Sequence, residues 1–146
     1  MQPGIDRALT VLERTFDRSM GVFEGKTIDS IPSGSPGFDR NTGVGGWPKG
    51  LISELSGEEY SGKTTLAFHA CAQAQELGET AVYLDVENAI LHQKDYIERI
   101  GVDTKKLVVP NLNTAEEYLN AIRILLKEKA AGLIVLDSVA ALVPES

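Results

Sequence analysis

The N-terminal part of the chain alternates apolar and charged positions with a helical period. Residues 5–19 repeat apolar side chains every three to four positions, at Ile5, Ala8, Leu9, Leu12 and Phe16. This spacing predicts an amphipathic helix of about four turns, followed by a short strand near residues 27–31. The pattern is compatible with packing on its own domain and with packing on another subunit.

Residues 33–50 are rich in Gly and Pro, which predicts turns and one short helix around residues 36–40. Beyond them, short apolar runs alternate with helical patterns. The predicted strands are 51–55, 81–85, 107–109 and 133–136, and the predicted helices are 62–77, 94–100 and 114–129. Gly78 suits the position after a helix end. Thr114, with Glu117 three residues later, fits a capping box.

Strands that alternate with helices predict right-handed crossovers and a parallel sheet. The runs AVYL and LIVL are apolar throughout, as in strands of a sheet that is covered on both faces. The expected class is therefore α/β.

Composition narrows the class of protein further. The 146 residues suit one domain, 42% of them are hydrophobic, and no apolar run reaches the length of about 20 residues that spans a bilayer. We expect a cytoplasmic protein with no membrane partner. Cys71, His69 and His92 are too few for a metal site of their own, and Cys71 has no cysteine to pair with. The net charge is -7, and the sequence has no visible stripe of Lys and Arg that would form a basic face for DNA.

A phosphate-binding motif lies between the first strand and helix of the regular region. The pattern G-x-x-x-x-G-K-[ST] is matched by Gly57-Glu58-Glu59-Tyr60-Ser61-Gly62-Lys63-Thr64. The glycines allow backbone amides to converge on phosphate oxygens, and the helix N-terminus adds partial positive charge. Lys63 is the expected partner of the β- and γ-phosphates of ATP, Thr64 a Mg²⁺ ligand, and Thr65 a neighbour of the α-phosphate.

Carboxylates follow two of the predicted strands. Asp137 ends the run LIVLD, which is the Walker B pattern of an aspartate that holds Mg²⁺. Asp85 ends the strand at 81–85 and Glu87 lies two residues further, and either could orient a water for attack on the γ-phosphorus. The spacing does not distinguish between them.

Together these motifs resemble the N-terminal portion of bacterial RecA recombinases. The resemblance is carried by residues 31–35, 45–50, 57–65, 84–89, 100–103 and 136–144, of which LDSVAALVP is the most specific. It implies a RecA-like P-loop NTPase fold, with a three-layer core and a mainly parallel sheet over residues 33–146. Residues 1–32 would form an oligomerisation arm that docks on the adjacent protomer of a filament.

The resemblance also implies roles for individual residues. Glu87 matches the catalytic glutamate of the family, and Ser138 matches the serine beside the Walker B aspartate. Tyr96 matches the tyrosine that stacks on adenine, although a ring packed on the sheet is an equally good interpretation. The cofactors implied are ATP and Mg²⁺.

The chain departs from the family in several places. Glu58 replaces a common proline, and Tyr60 replaces a small residue. Residues 88–95 are about two residues longer than the family pattern. The adenine-contacting aspartate of the family therefore has no match, and Leu91 or Gln93 lies nearest.

The sequence stops at Ser146, whereas the DNA-binding loops of the family, its γ-phosphate-sensing glutamine and a middle strand of its sheet follow later. We therefore expect nucleotide binding with little hydrolysis, and single-stranded DNA binding through regions absent from this chain. An alternative function is a non-catalytic regulatory or assembly module of the family. A third is another RecA-fold motor, such as a hexameric helicase or a circadian-clock ATPase domain.

Overall fold

The computed structural model describes residues 3–16, 27–88 and 90–143. Its helices are α1 (Pro3–Phe16), α2 (Pro36–Thr42), α3 (Lys63–Glu76), α4 (Lys94–Ile100) and α5 (Ala115–Lys127). Its strands are β1 (Ser30–Ile31), β2 (Trp47–Pro48), β3 (Ala81–Asp85) and β4 (Leu133–Asp137). Short 3₁₀ turns cover Ile90–His92 and Val139–Ala141. The last three residues predicted for the first helix, 17–19, lie outside the described part.

The strands β3 and β4 form a parallel pair, as the apolar runs predict. They are in register from Ala81 opposite Leu133 to Asp85 opposite Asp137. Parallel neighbours end at the same edge, so the two aspartates lie side by side at the carboxyl edge of the sheet. Helices and a small parallel sheet agree with the predicted α/β class, while the complete three-layer core stays a prediction.

Successive residues of β3 belong to two different apolar clusters. Ala81 and Tyr83 pack with the buried side chains of α3 and α4, whereas Val82 and Leu84 pack with Tyr118 of α5. Alternation of side chains across a pleated strand explains this division. The strand is buried along its whole length, so it anchors helices on both sides.

Helix α3 begins and ends at glycines. Gly62 occupies the N-cap position with φ 91°, and Gly78 follows the C-cap residue Leu77 with φ 78°. Both lie in the left-handed region that glycine adopts without steric cost. The predicted helix end at Gly78 is therefore confirmed, and the first turn of α3 starts directly from the phosphate loop.

The predicted capping box of α5 is also confirmed. The side chain of Thr114 accepts from the backbone N–H of Glu117, and the Glu117 carboxylate accepts from the backbone N–H of Thr114. The hydroxyl of Tyr118 then contacts the carbonyl oxygens of Asp85 and Leu112, at 3.0 and 3.1 Å. These bonds tie α5 to the carboxyl end of β3.

The predicted strand at 51–55 is wrong. Residues 51–57 have no strand conformation, and Leu51 and Ile52 are exposed. A strand needs a hydrogen-bonded neighbour, and among the described residues β4 pairs only with β3. The apolar pattern of this segment thus has no sheet edge to join in the described structure.

The predicted strand at 107–109 shrinks to one bridge. Val108 lies opposite Val82 in a parallel bridge, and its backbone hydrogen bonds are to Ala81 and Tyr83 on either side. Pro110, which lacks an N–H, follows closely. The short strand predicted near residues 27–31 is present as β1, reduced to two residues. Its antiparallel partner β2 was not predicted, because the Gly- and Pro-rich composition around β2 indicates only turns.

None of the described helices combines the length and the apolar composition needed to cross a membrane.

The buried thiol of Cys71 gives a test of the core. Burial raises the pKa of Cys71 from 9.0 to about 12. The unfolded chain therefore releases this proton first, so the thiol's contribution to stability is complete below pH 9 and is lost as the pH rises toward 12. We expect the free energy of unfolding to fall by about 1 kcal/mol more in the parent than in Cys71→Ala between pH 9 and 10.

Urea denaturation at several pH values measures this difference, since all other titrating groups are common to both proteins. Parallel stability curves for the two chains would show that the thiol is not buried as described.

Candidate nucleotide site

The phosphate loop runs exposed from Gly57 to Ser61 and then enters α3. The backbone of Tyr60 has φ 60°, and its side chain is fully exposed, as expected of a bulky residue on the outer surface of the loop. Glu58 and Glu59 are exposed as well. Among the described residues, no hydrogen bond holds any of these three side chains inside the loop. The backbone amides are therefore the groups of the loop that suit an anion.

Lys63, the first residue of α3, folds back over this loop. Its ammonium group donates to the carbonyl oxygens of Gly57 and Glu58, at 2.9 and 2.7 Å. The charge is therefore held above the loop at the N-terminus of a 14-residue helix, where the helix dipole also favours an anion.

Thr64 and Asp137 meet, although they are 73 positions apart. The Thr64 hydroxyl donates to Asp137 Oδ2 at 2.8 Å. Its proton thus points to the carboxylate, and its oxygen lone pairs remain available for a further ligand. The first turn of α3 and the end of β4 are joined at the residues expected to bind Mg²⁺.

A second hydroxyl, which the sequence pattern did not predict, contacts this carboxylate. Tyr83 of β3 donates to the same Oδ2 of Asp137 at 2.6 Å. Burial, followed by the hydrogen bond and the charge of Asp137, raises the pKa of Tyr83 well above its usual range. A signal was present in the sequence, because a buried tyrosine in an apolar strand needs a partner for its hydroxyl.

The two candidate carboxylates after β3 occupy different environments. Asp85 is only 7% exposed, and its Oδ2 accepts from the backbone N–H of Ile90 at 2.9 Å. Glu87 is exposed, and its Oε1 accepts from the Ser138 hydroxyl at 2.9 Å. Of these two carboxylates, Glu87 is the one exposed to solvent. It also contacts Ser138, the residue that follows Asp137.

Tyr96 lies at the surface and not on the sheet. Its side chain is 44% exposed, and its hydroxyl lies 2.7 Å from the Thr65 hydroxyl of α3. The fully buried residue of α4 is its neighbour Ile97, and Ile100 packs against the same core cluster. Tyr96 also lines an open cavity of about 430 Å³ with His92, Gln93, Lys94, Asp95 and Arg99.

The predicted site residues thus form three hydrogen-bonded groups around the N-terminus of α3. Lys63 contacts the loop, Thr64 contacts Asp137, and Thr65 contacts Tyr96. The Glu87–Ser138 pair lies next to the Thr64–Asp137 pair, because Ser138 directly follows Asp137 in the chain. By contrast, the predicted strand that should lead into the loop is absent from the described structure.

The donors present fit Mg²⁺ bound together with a phosphate. The described residues contain no group of three or more His, Cys, Asp and Glu side chains that could hold a metal. Mg²⁺ is commonly bound by one or two carboxylates and by substrate phosphates. One carboxylate, one hydroxyl and a loop of amides are the protein's share of such a site.

Comparison with known proteins gives one family. The model of the RecA N-terminal domain matches residues 4–146. The chain is 42% identical to Protein RecA of Lactobacillus delbrueckii subsp. bulgaricus over 146 residues, which is 97% of this chain and 44% of that protein. It is 43% identical to Protein RecA of Lactobacillus johnsonii over 146 residues, which is 97% of this chain and 40% of that protein.

A similar match, 41% identical over 149 residues, is found with Protein RecA of Corynebacterium pseudotuberculosis, and it covers 99% of this chain and 40% of that protein. The chain therefore spans about two fifths of the length of these curated relatives.

Proposed function

Since the chain belongs to the RecA family, we propose that it is the ATP-binding part of a RecA-type recombinase, a DNA-dependent ATPase of homologous recombination and repair. Membership places the chain in the N-terminal domain of that family. The observation that carries the proposal is the hydrogen bond between Thr64 and Asp137, which joins the two phosphate-site motifs.

The residues at the N-terminus of α3 would divide the binding of a Mg²⁺-bound triphosphate. Lys63 and the amides of residues 57–65 would neutralise the phosphate oxygens. Thr64 and Asp137 would hold Mg²⁺, with the Thr64 hydroxyl still donating its hydrogen bond to the carboxylate. When bound, the metal would withdraw charge from the phosphate oxygens.

Glu87 is the residue we assign as general base. Its carboxylate is exposed and held in place by Ser138, which leaves its second oxygen to accept a proton from a water. Asp85 is unsuited to this role because it is buried and accepts from a backbone amide. Ser138 would act by orienting Glu87.

We assign Tyr96 to the nucleoside side of the site. Its exposed ring beside Thr65 and the open cavity supports a base-stacking position at the edge of the phosphate loop. Gln93 lines the same cavity, near the place where the family pattern has an adenine-contacting aspartate.

We place single-stranded DNA binding in the parts of the relatives that this chain does not match. The net charge of -7 supports this assignment, because a nucleic-acid surface needs clustered Lys and Arg.

Replacing Lys63 with Ala tests the proposed site. Losing this charge should weaken ATP binding by about tenfold or more, while adenosine binding is unchanged, because only the phosphates contact the ammonium group. Isothermal titration calorimetry of the 146-residue chain measures both affinities.

Lys127→Ala is the control, since Lys127 is exposed in the last turn of α5, at the opposite end of that helix from Tyr118, which bonds to the carboxyl end of β3. Equal ATP affinities for Lys63→Ala and Lys127→Ala would contradict the proposal.

A second candidate function is assembly, and the exposed face of α1 favours it. Ile5, Leu12 and Phe16 are exposed in the chain, with Phe16 at 57%. An apolar helix face that is exposed in the described part of the chain suits docking on a second copy. We propose that residues 1–32 are the arm that connects protomers, and that residues 33–146 are the nucleotide-binding core.

Adding the chain in excess to Protein RecA of Lactobacillus delbrueckii tests the arm. The chain should slow filament growth on single-stranded DNA, followed by light scattering, and Leu12→Ser should weaken the effect by about tenfold through lost apolar burial. Arg7→Ser is the matched control on the same exposed helix and should behave like the parent. Equal inhibition by all three chains, or by none, would refute the arm.

A further inference from the structure

The side chain of Tyr83 crosses from one strand to the next. In the parallel pair, Tyr83 lies opposite Val135, and Asp137 lies two residues further on the same face of β4. A tyrosine is long enough to span this diagonal, and its hydroxyl reaches Asp137 Oδ2 at 2.6 Å. The contact therefore follows directly from the register of the sheet.

This hydroxyl shares its acceptor with Thr64. Among the described residues, the donors to the Asp137 carboxylate are the two hydroxyls of Tyr83 and Thr64, and both bond to Oδ2. They approach from different elements, one from β3 and one from α3. Two donors from different directions on one oxygen fix the rotation of the carboxylate and direct Oδ1 away from them.

We propose that Tyr83 is a positioning residue of the Mg²⁺ site, which holds the Asp137 carboxylate in the orientation that binds the metal. The inference rests on the proposed function of Asp137. It adds an outer partner to the ligand, of the kind that sets ligand orientation in metal sites.

The packing of Tyr83 does not by itself require a hydroxyl. The ring is buried and stacks on Phe68, with centroids 4.9 Å apart and planes at 16°. A phenylalanine would make the same contact without the cost of burying a polar atom. The other buried tyrosine, Tyr118, bonds to backbone carbonyls instead of a candidate metal ligand.

The test compares Tyr83→Phe with Tyr118→Phe. Each variant removes one buried hydroxyl and keeps the ring, but only the first loses the bond to Asp137. ATP affinity is measured by calorimetry at increasing free Mg²⁺ and in EDTA, with thermal melting as the check on folding. Tyr83→Phe should need about tenfold more Mg²⁺ for the same gain in ATP affinity, with affinity in EDTA unchanged. Tyr118→Phe should match the parent.

The outcomes separate the two proposals. A parent chain that binds ATP equally with Mg²⁺ and with EDTA would refute the proposed metal site, and the role of Tyr83 with it. A parent that responds to Mg²⁺ while Tyr83→Phe responds identically would refute the role of Tyr83 alone. Equal shifts in both variants would refute it too, because general loosening would then explain them.

If Tyr83→Phe does not fold, 3-fluorotyrosine introduced at position 83 gives a second measurement. Its fluorine NMR signal should shift when Mg²⁺ is added to the ATP-bound chain, whereas the same label at position 118 should not respond. An unchanged signal at position 83 would overturn the inference.

Discussion

The hydrogen bond from Thr64 to Asp137 is the contact on which the candidate site depends. It joins the start of α3 to the end of β4, across 73 positions of sequence. The bond forms because α3 packs on β3 through Phe68 and Tyr83, and because β3 fixes the register of β4. The core packing and the position of the proposed metal ligands are thus one arrangement.

Only one end of the phosphate loop is continuous with an element of the core. Its outgoing residues enter α3, whose buried face includes Phe68 and Cys71. Its incoming residues, 51–57, are exposed and join no strand. In the described structure the loop therefore depends on α3 and on the bonds from Lys63 to the carbonyl oxygens of Gly57 and Glu58.

Local rules in the sequence predicted the elements whose partners are close in sequence or whose apolar runs are fully buried. The capping box at Thr114, the helix end at Gly78 and the strands β3 and β4 follow from such rules. Segment 51–55 failed because a strand also needs a neighbour, which an apolar pattern does not supply. The bond of Tyr83 was missed because it depends on the register of two strands, and the spacing alone did not distinguish Glu87 from Asp85, which differ in burial.

We propose that Lys63, Thr64 and Asp137 bind one Mg²⁺-bound triphosphate. A crystal structure of the chain with Mg²⁺ and a non-hydrolysable ATP analogue tests it most directly. We predict that the Lys63 ammonium leaves the loop carbonyls for phosphate oxygens, and that Thr64 and Asp137 bind Mg²⁺ while keeping their mutual hydrogen bond. A nucleotide bound elsewhere, with Lys63 still on Gly57 and Glu58, would contradict it.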